Sequence, residues 1–145
     1  MGSSAAAMKA QLTGMRGVYL VAAELSRAGF IASPTSRSAR GADVLATDQA
    51  CRRSFTVQVK TNAKHCPFWL VGRDPIVADS HYYVLVNLEP KDAAGPEFYV
   101  VRSALIAKHN SASAKKRTGK EWGAVFKRDV LDCRGRWEVL GDPAE

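Results

Sequence analysis

The chain predicts an α/β fold, helices packed on one mixed β-sheet, and three stretches carry that expectation. In "RRSFTVQVKTN" (52–62), Phe55, Val57 and Val59 alternate with Thr56, Gln58 and Lys60. That period of two sends the first three side chains to one face of a strand and the others to the opposite face. "HYYVLVNL" (81–88) is a nearly unbroken apolar run, as expected of a central strand covered on both sides. "GMRGVYLVAAELSRA" (14–28) places Met15, Val18, Ala22 and Leu25 at helical spacing, widened by Val21 and Ala28. A chain of 145 residues with these elements interleaved makes one domain. Its core is large enough to stand without disulfides or a metal.

The start, "MGSSAAAMKA", is small and polar. It reads as disordered or extraneous, and the single α/β domain is placed at residues 11–145. Gly29 stops the first helix, and "FIAS" follows as a short strand. "PTSRSARG" is a polar loop carrying Arg37 and Arg40. "ADVLAT" and "SFTVQVKT" read as two strands of a hairpin turned by "DQACRR". A loop centred between Asp48 and Arg53 sets Thr47 opposite Ser54, Leu45 opposite Thr56 and Asp43 opposite Gln58. Beyond Pro67, "FWLVG" is a short strand, and "EFYVV" is another after a polar loop. "RSALIAKHN" is a short helix with basic residues toward its end, as the helix dipole prefers. "SASAKKRTGK" is a basic loop. "WGAVFKRDVLDCRGRWEVL" suggests a short helix, a turn at Gly135 and a last segment anchored by Trp137. Trp69, Tyr82, Tyr83, Phe98 and Trp137 read as core or interface aromatics.

The net charge is +7, from 21 Lys and Arg against 14 Asp and Glu. Residues 1–60 hold eight basic and three acidic side chains, so the surplus is uneven. A positive field on a small domain favours polyanions such as nucleic acid. Cys51, Cys66 and Cys133 form no C-x-x-C pair and an odd count, which argues against a disulfide framework or a structural zinc. No apolar run approaches a membrane span, and the N-terminus is not a secretory signal. A cytoplasmic location is expected.

With that register, Asp43, Gln58 and Lys60 gather at one end of the hairpin on one face. A carboxylate and an amide oxygen suit a hard divalent cation such as Mg²⁺, and a neighbouring lysine balances charge on a phosphate. "GADVLAT" followed by "FTVQVKT" resembles the PD-(D/E)-x-K nuclease superfamily. The order of elements from residue 14 to 140 is similar to small stand-alone bacterial members. The resemblance implies a restriction endonuclease-like sandwich, with a central mixed sheet of about five strands flanked by helices. It further implies a metal-dependent DNA endonuclease using Mg²⁺ or Mn²⁺ on duplex or branched DNA, often as a homodimer. Asp43 matches the first acid and Lys60 the lysine, with the Val59 carbonyl as a further metal ligand. Glu24 stands on the helix where many members carry a glutamate.

Gln58 departs from the pattern, because it stands where the second acid is usual. Two unit charges about 4 Å apart interact by about 4 kcal/mol at an effective dielectric near 20, so the exchange weakens a metal site. Ala42 replaces the proline that often precedes the first acid. Arg37, Arg40, Thr61, Lys115, Lys116 and Arg117 are candidate phosphate contacts, with ordinary solvated loops as the alternative for the basic ones. The sequence alone leaves three functions open: a nuclease, a nuclease-fold protein that binds nucleic acid without cutting it, and a non-enzymatic interaction protein.

Overall fold

The computed structural model describes residues 2–36, 41–92, 94–111 and 123–141. A long helix α1 (Gly2–Arg27) leads into β1 (Ile31–Pro34), β2 (Val44–Thr47) and β3 (Ser54–Asn62). After β4 (Phe68–Leu70) come β5 (His81–Asn87), β6 (Glu97–Arg102), α2 (Ser103–His109) and β7 (Ala124–Phe126), then three single-turn 3-10 segments. The main sheet has five strands in the order β1-β2-β3-β5-β6, and β4 pairs with β7 in a small second sheet. Among the described residues only β3 and β5 run parallel, so the sheet is mixed as expected.

The hairpin register is the expected one: Leu45 faces Thr56 and Thr47 faces Ser54. A feature not foreseen holds it. The Asp48 carboxylate accepts the Arg52 and Arg53 amides at 2.7 and 3.2 Å, closing the loop that Cys51 turns with a positive φ of 57°. These two backbone bonds draw the Asp48 pKa below the ordinary carboxylate value.

The sheet buries a separate core on each face. On one, Phe55, Val57 and Val59 of β3 pack with Val84 and Val86 against Val18, Val21 and Leu25 of α1. On the other, Tyr83, Leu85 and Tyr99 pack beneath Trp69, Val125 and Ile106 from β4, β7 and α2. The run 81–88 is therefore buried throughout. Two expectations change. Residues 2–10, set aside as disordered or extraneous, continue α1. The C-terminal segment forms β7 and 3-10 turns where a short helix was expected.

Helix α1 passes close to β3 at Gly17. A Cβ there would overlap the Thr61 hydroxyl and lie 2.9 Å from Thr61 Cβ, so rotating the threonine cannot clear it. In the second layer, Glu97 is buried yet fully engaged. It receives Asn87 Nδ2 at 2.8 Å, Lys127 Nζ at 3.0 Å and Tyr99 Oη at 3.2 Å, with Arg134 at 3.7 Å. Burial pushes its pKa up, but the bonds from Asn87 and Lys127 win and hold it below 4.5.

Two outcomes are expected. Gly17→Ala gains about 1 kcal/mol of helix propensity but meets overpacking of about 1–3 kcal/mol. Urea unfolding should therefore show a net loss, part of which Thr61→Ala restores. Lys127→Met should cost about 3 kcal/mol, the low end for breaking a buried ion pair, because Arg134 remains nearby. Since the folded Glu97 pKa is depressed, its stabilisation is present above pH 4.5 and declines as pH falls through the folded value. An acid-unfolding curve unchanged by Glu97→Gln would contradict this.

Candidate active site

Strand β2 begins one residue after Asp43, whose N–H bonds the Val57 carbonyl at 2.8 Å. Val44 already pairs with Val57, so both residues stand against Val57, as at a β-bulge, and the expected pairing of Asp43 with Gln58 is not formed. The Asp43 carboxylate then turns along the sheet edge, where Oδ2 accepts the Val59 N–H at 2.7 Å. Val59 has the same parity as Val57, so its carbonyl points the same way, past the end of β2. A carboxylate and a main-chain carbonyl thus meet where the ladder stops. On the neighbouring chain, the Thr35 N–H bonds the Asp43 carbonyl at 2.9 Å and the Thr35 hydroxyl bonds the Ala42 carbonyl at 2.6 Å. These bonds fix the backbone under the acid.

Gln58 and Lys60 are half-buried and leave β3 on the face opposite α1. Gln58 pairs across the parallel ladder with Tyr83, and Lys60 with Leu85. On the Gln58 side, the Asp43 charge adds a small upward pull at His81 and Tyr83, behind the larger effect of burial. On the α1 side Asp43 lines a hollow of about 270 Å³ with Val59, Thr35, Gln11, Gly14 and Val18. Asp43 and the Val59 amide are therefore in contact, while Gln58 and Lys60 leave the same stretch of β3 on its other face.

Glu24 is not brought there. It is ion-paired to Arg27 at 2.8 Å and lies six residues past Val18, about 9 Å farther along the helix axis at 1.5 Å per residue. The helix positions that face Asp43 are instead Gln11, Gly14, Met15 and Val18, at spacing i, i+3, i+4 and i+7. That pattern was readable in the sequence had the helix been started before residue 14. Thr61 alternates onto the α1 face, and its hydroxyl is buried against Gly17 without a hydrogen-bond partner. It is thus turned away from Lys60 and closed to a phosphate. Arg37, Arg40, Lys115, Lys116 and Arg117 lie outside the described residues. Among the described residues no three His, Cys, Asp or Glu side chains cluster as a metal site, and no helix is long and apolar enough to cross a membrane.

His81 was not foreseen as part of this neighbourhood. It is buried on β5 and shares a 2.6 Å hydrogen bond between Nδ1 and the Thr56 hydroxyl, while Nε2 has no partner. Burial lowers its pKa below 6.5, against a smaller upward pull from Asp43.

In sequence, no protein-family model matches the chain and no curated protein is similar to it. In structure, it is similar to Hjc, a Holliday junction resolvase from the archaeal hyperthermophile Archaeoglobus fulgidus. The TM-score is 0.52 at 16% identity, over 91% of this chain and 98% of the other. The chain shares that resolvase's fold, and its mixed five-stranded sheet with helices is consistent with the expected restriction endonuclease-like α/β fold.

An NMR titration should find His81 with a pKa below 6.5, moved lower still by Asp43→Asn, which removes the upward pull. The depressed value means the stability tied to neutral His81 is complete above pH 6.5 and is lost as pH falls toward the folded pKa. A His81 pKa at or above 6.5 would contradict the buried, unpaired placement.

Proposed function

We propose that the protein is a metal-dependent DNA endonuclease, a phosphodiester hydrolase whose site comprises Asp43, Gln58, Lys60 and the Val59 carbonyl. The observation that carries the reading is the 2.7 Å bond from the Val59 N–H to Asp43 Oδ2. It holds a carboxylate at the open end of β2, beside the strand that bears the amide and the ammonium. One carboxylate, one amide oxygen and one main-chain carbonyl are hard oxygen donors. That set fits Mg²⁺ or Mn²⁺, ions that keep several waters and take few protein ligands.

A bound divalent ion supplies polarisation of the phosphate and a more acidic water. The chain's residues do the rest. Asp43, with Oδ2 held by Val59, presents its second oxygen as a ligand, and Gln58 presents Oε1. Lys60 positions the attacking water and balances the negative charge that grows on the phosphate. No covalent intermediate is involved. Arg37, Arg40, Lys115, Lys116 and Arg117 serve as backbone contacts that hold the DNA. Glu24 and Thr61 have no part in this site.

The surplus of basic residues and the fold shared with a Holliday junction resolvase support duplex or branched DNA as the partner. Cutting both strands of either takes two sites, so a homodimer belongs to the same reading. The neutral wall that α1 offers to Asp43, with Gln11 and Val18 in it, favours a second reading in which the fold binds DNA without cutting it.

Plasmid, linear and four-way-junction DNA incubated with Mg²⁺ or Mn²⁺ should be cut by the wild type. Asp43→Ala and Lys60→Ala should each reduce cutting by about 100-fold or more, with native circular dichroism. Equal cutting by these variants would remove the assigned site, and salt-dependent binding with no cutting would leave the second reading.

A further inference from the structure

We infer that the outer face of α1 is a docking surface for an acidic amphipathic helix of a partner protein.

Spacing sets the face. Ala5, Met8, Leu12, Met15 and Tyr19 follow one another at alternating intervals of three and four, the repeat that forms a continuous apolar seam along a helix. Helix α1 buries Val18, Val21 and Leu25 against the sheet, and at about 100° per residue the seam points away from them. Met8, Leu12 and Tyr19 are 57%, 62% and 59% exposed, and Met15 is half-buried. Apolar residues scattered singly on a surface are ordinary, whereas a contiguous stripe marks a contact. From Met8 to Tyr19 it runs about 16 Å, roughly three helical turns. Met8 and Leu12 also form one wall of a hollow of about 570 Å³, which α1 makes with Leu88 and the turns after β3 and β5. A seam beside a groove takes another helix, whose side chains at the same spacing fill it.

Charge selects which helix. Lys9 and Arg16 stand seven residues apart on one flank of the seam, and Lys64 stands across the hollow, all three exposed. Among the described residues that line the hollow, Glu89 alone is acidic, and none of these four side chains is in an ion pair. Residues 1–23 contain no Asp or Glu. A second copy laid on the seam therefore brings the same cations and no acid to meet them, and like charges across a contact cost affinity. A DNA duplex offers phosphates to Lys9 and Arg16 but nothing to cover Met8 and Leu12. A groove with two walls suits a rod, not the flat surface of a bilayer. A helix whose apolar stripe is edged by Asp and Glu meets both the seam and the cations.

The probe is a fluorescein-labelled synthetic helix of about three heptads, with Leu at the core positions and Glu flanking them. Its counterpart carries Lys in place of Glu. Affinity for the full chain is read by fluorescence anisotropy. The chain has three methionines, Met1, Met8 and Met15, so ¹³C-methyl labelling puts two of its three NMR reporters on the seam.

The acidic helix should bind at least about tenfold more tightly than the basic one, and the Met8 and Met15 methyl signals should shift. Leu12→Glu, at an exposed position, should weaken binding by about tenfold or more with native circular dichroism. Lys9→Glu combined with Arg16→Glu should reverse the preference, so that the basic helix binds more tightly. No binding of the acidic helix, equal binding of the two, or a preference that survives the double reversal overturns the inference. The same methyl shifts on raising the protein concentration alone also overturn it and assign the seam to a second copy. A stronger response to short duplex DNA or to phosphatidylserine vesicles than to the acidic helix overturns it in favour of those surfaces.

Discussion

Everything at the candidate site depends on β3 being held on both sides at once. It is antiparallel to β2 and parallel to β5, and the two ladders leave it no freedom to slip. A shift of one residue would exchange its faces. Val57 and Val59 would then leave the α1 core, and Gln58 and Lys60 would enter it. The hydrophobic cost of that exchange is what keeps the amide and the ammonium beside Asp43.

The same strand explains why Asp43 is placed as it is. Because β2 begins only at Val44 while β3 runs on beyond that level, the Val59 amide has no strand partner in β2, and the Asp43 side chain takes that place. A backbone group near the interior must find an acceptor, and here the acceptor is the acid. One hydrogen bond thus completes a ladder and fixes a carboxylate. The absence of a second acid from the α1 wall follows from what α1 does elsewhere. Val18 sits at the edge of its buried stripe with Val21 and Leu25, and a buried carboxylate there would be costly without a cation.

The second layer is secured by different means. The β4–β7 sheet is short, and Glu97 ties it to the main sheet through Asn87, Tyr99 and Lys127. Asn87 also bonds the Cys66 carbonyl and shares a bond with Asn62. Such a network holds only when every member is satisfied. Its cooperation with the Trp69 cluster keeps the far face of the sheet covered beneath β5 and β6.

Period and polarity alone determined the helix over 14–28, the alternating face of β3 and the doubly buried β5, because each is a local repeat that burial enforces, whereas the hairpin register followed from a symmetric loop that the Asp48 carboxylate holds. Asp43, Gln58 and Lys60 could be nominated together from sequence because they lie within one hairpin. The tertiary structure decided what depends on distant chain. The reach of α1 placed Gln11 and Val18, and left Glu24 outside, because the hollow is set by where the helix crosses the strand ends. Thr61 was settled by the close approach of Gly17, and His81 by the parallel pairing of β5 with β3. The partners of Glu97 come from strands and turns far apart in sequence, and no local pattern announces them. Spacing along a chain says which face a side chain takes; only packing says what that face meets.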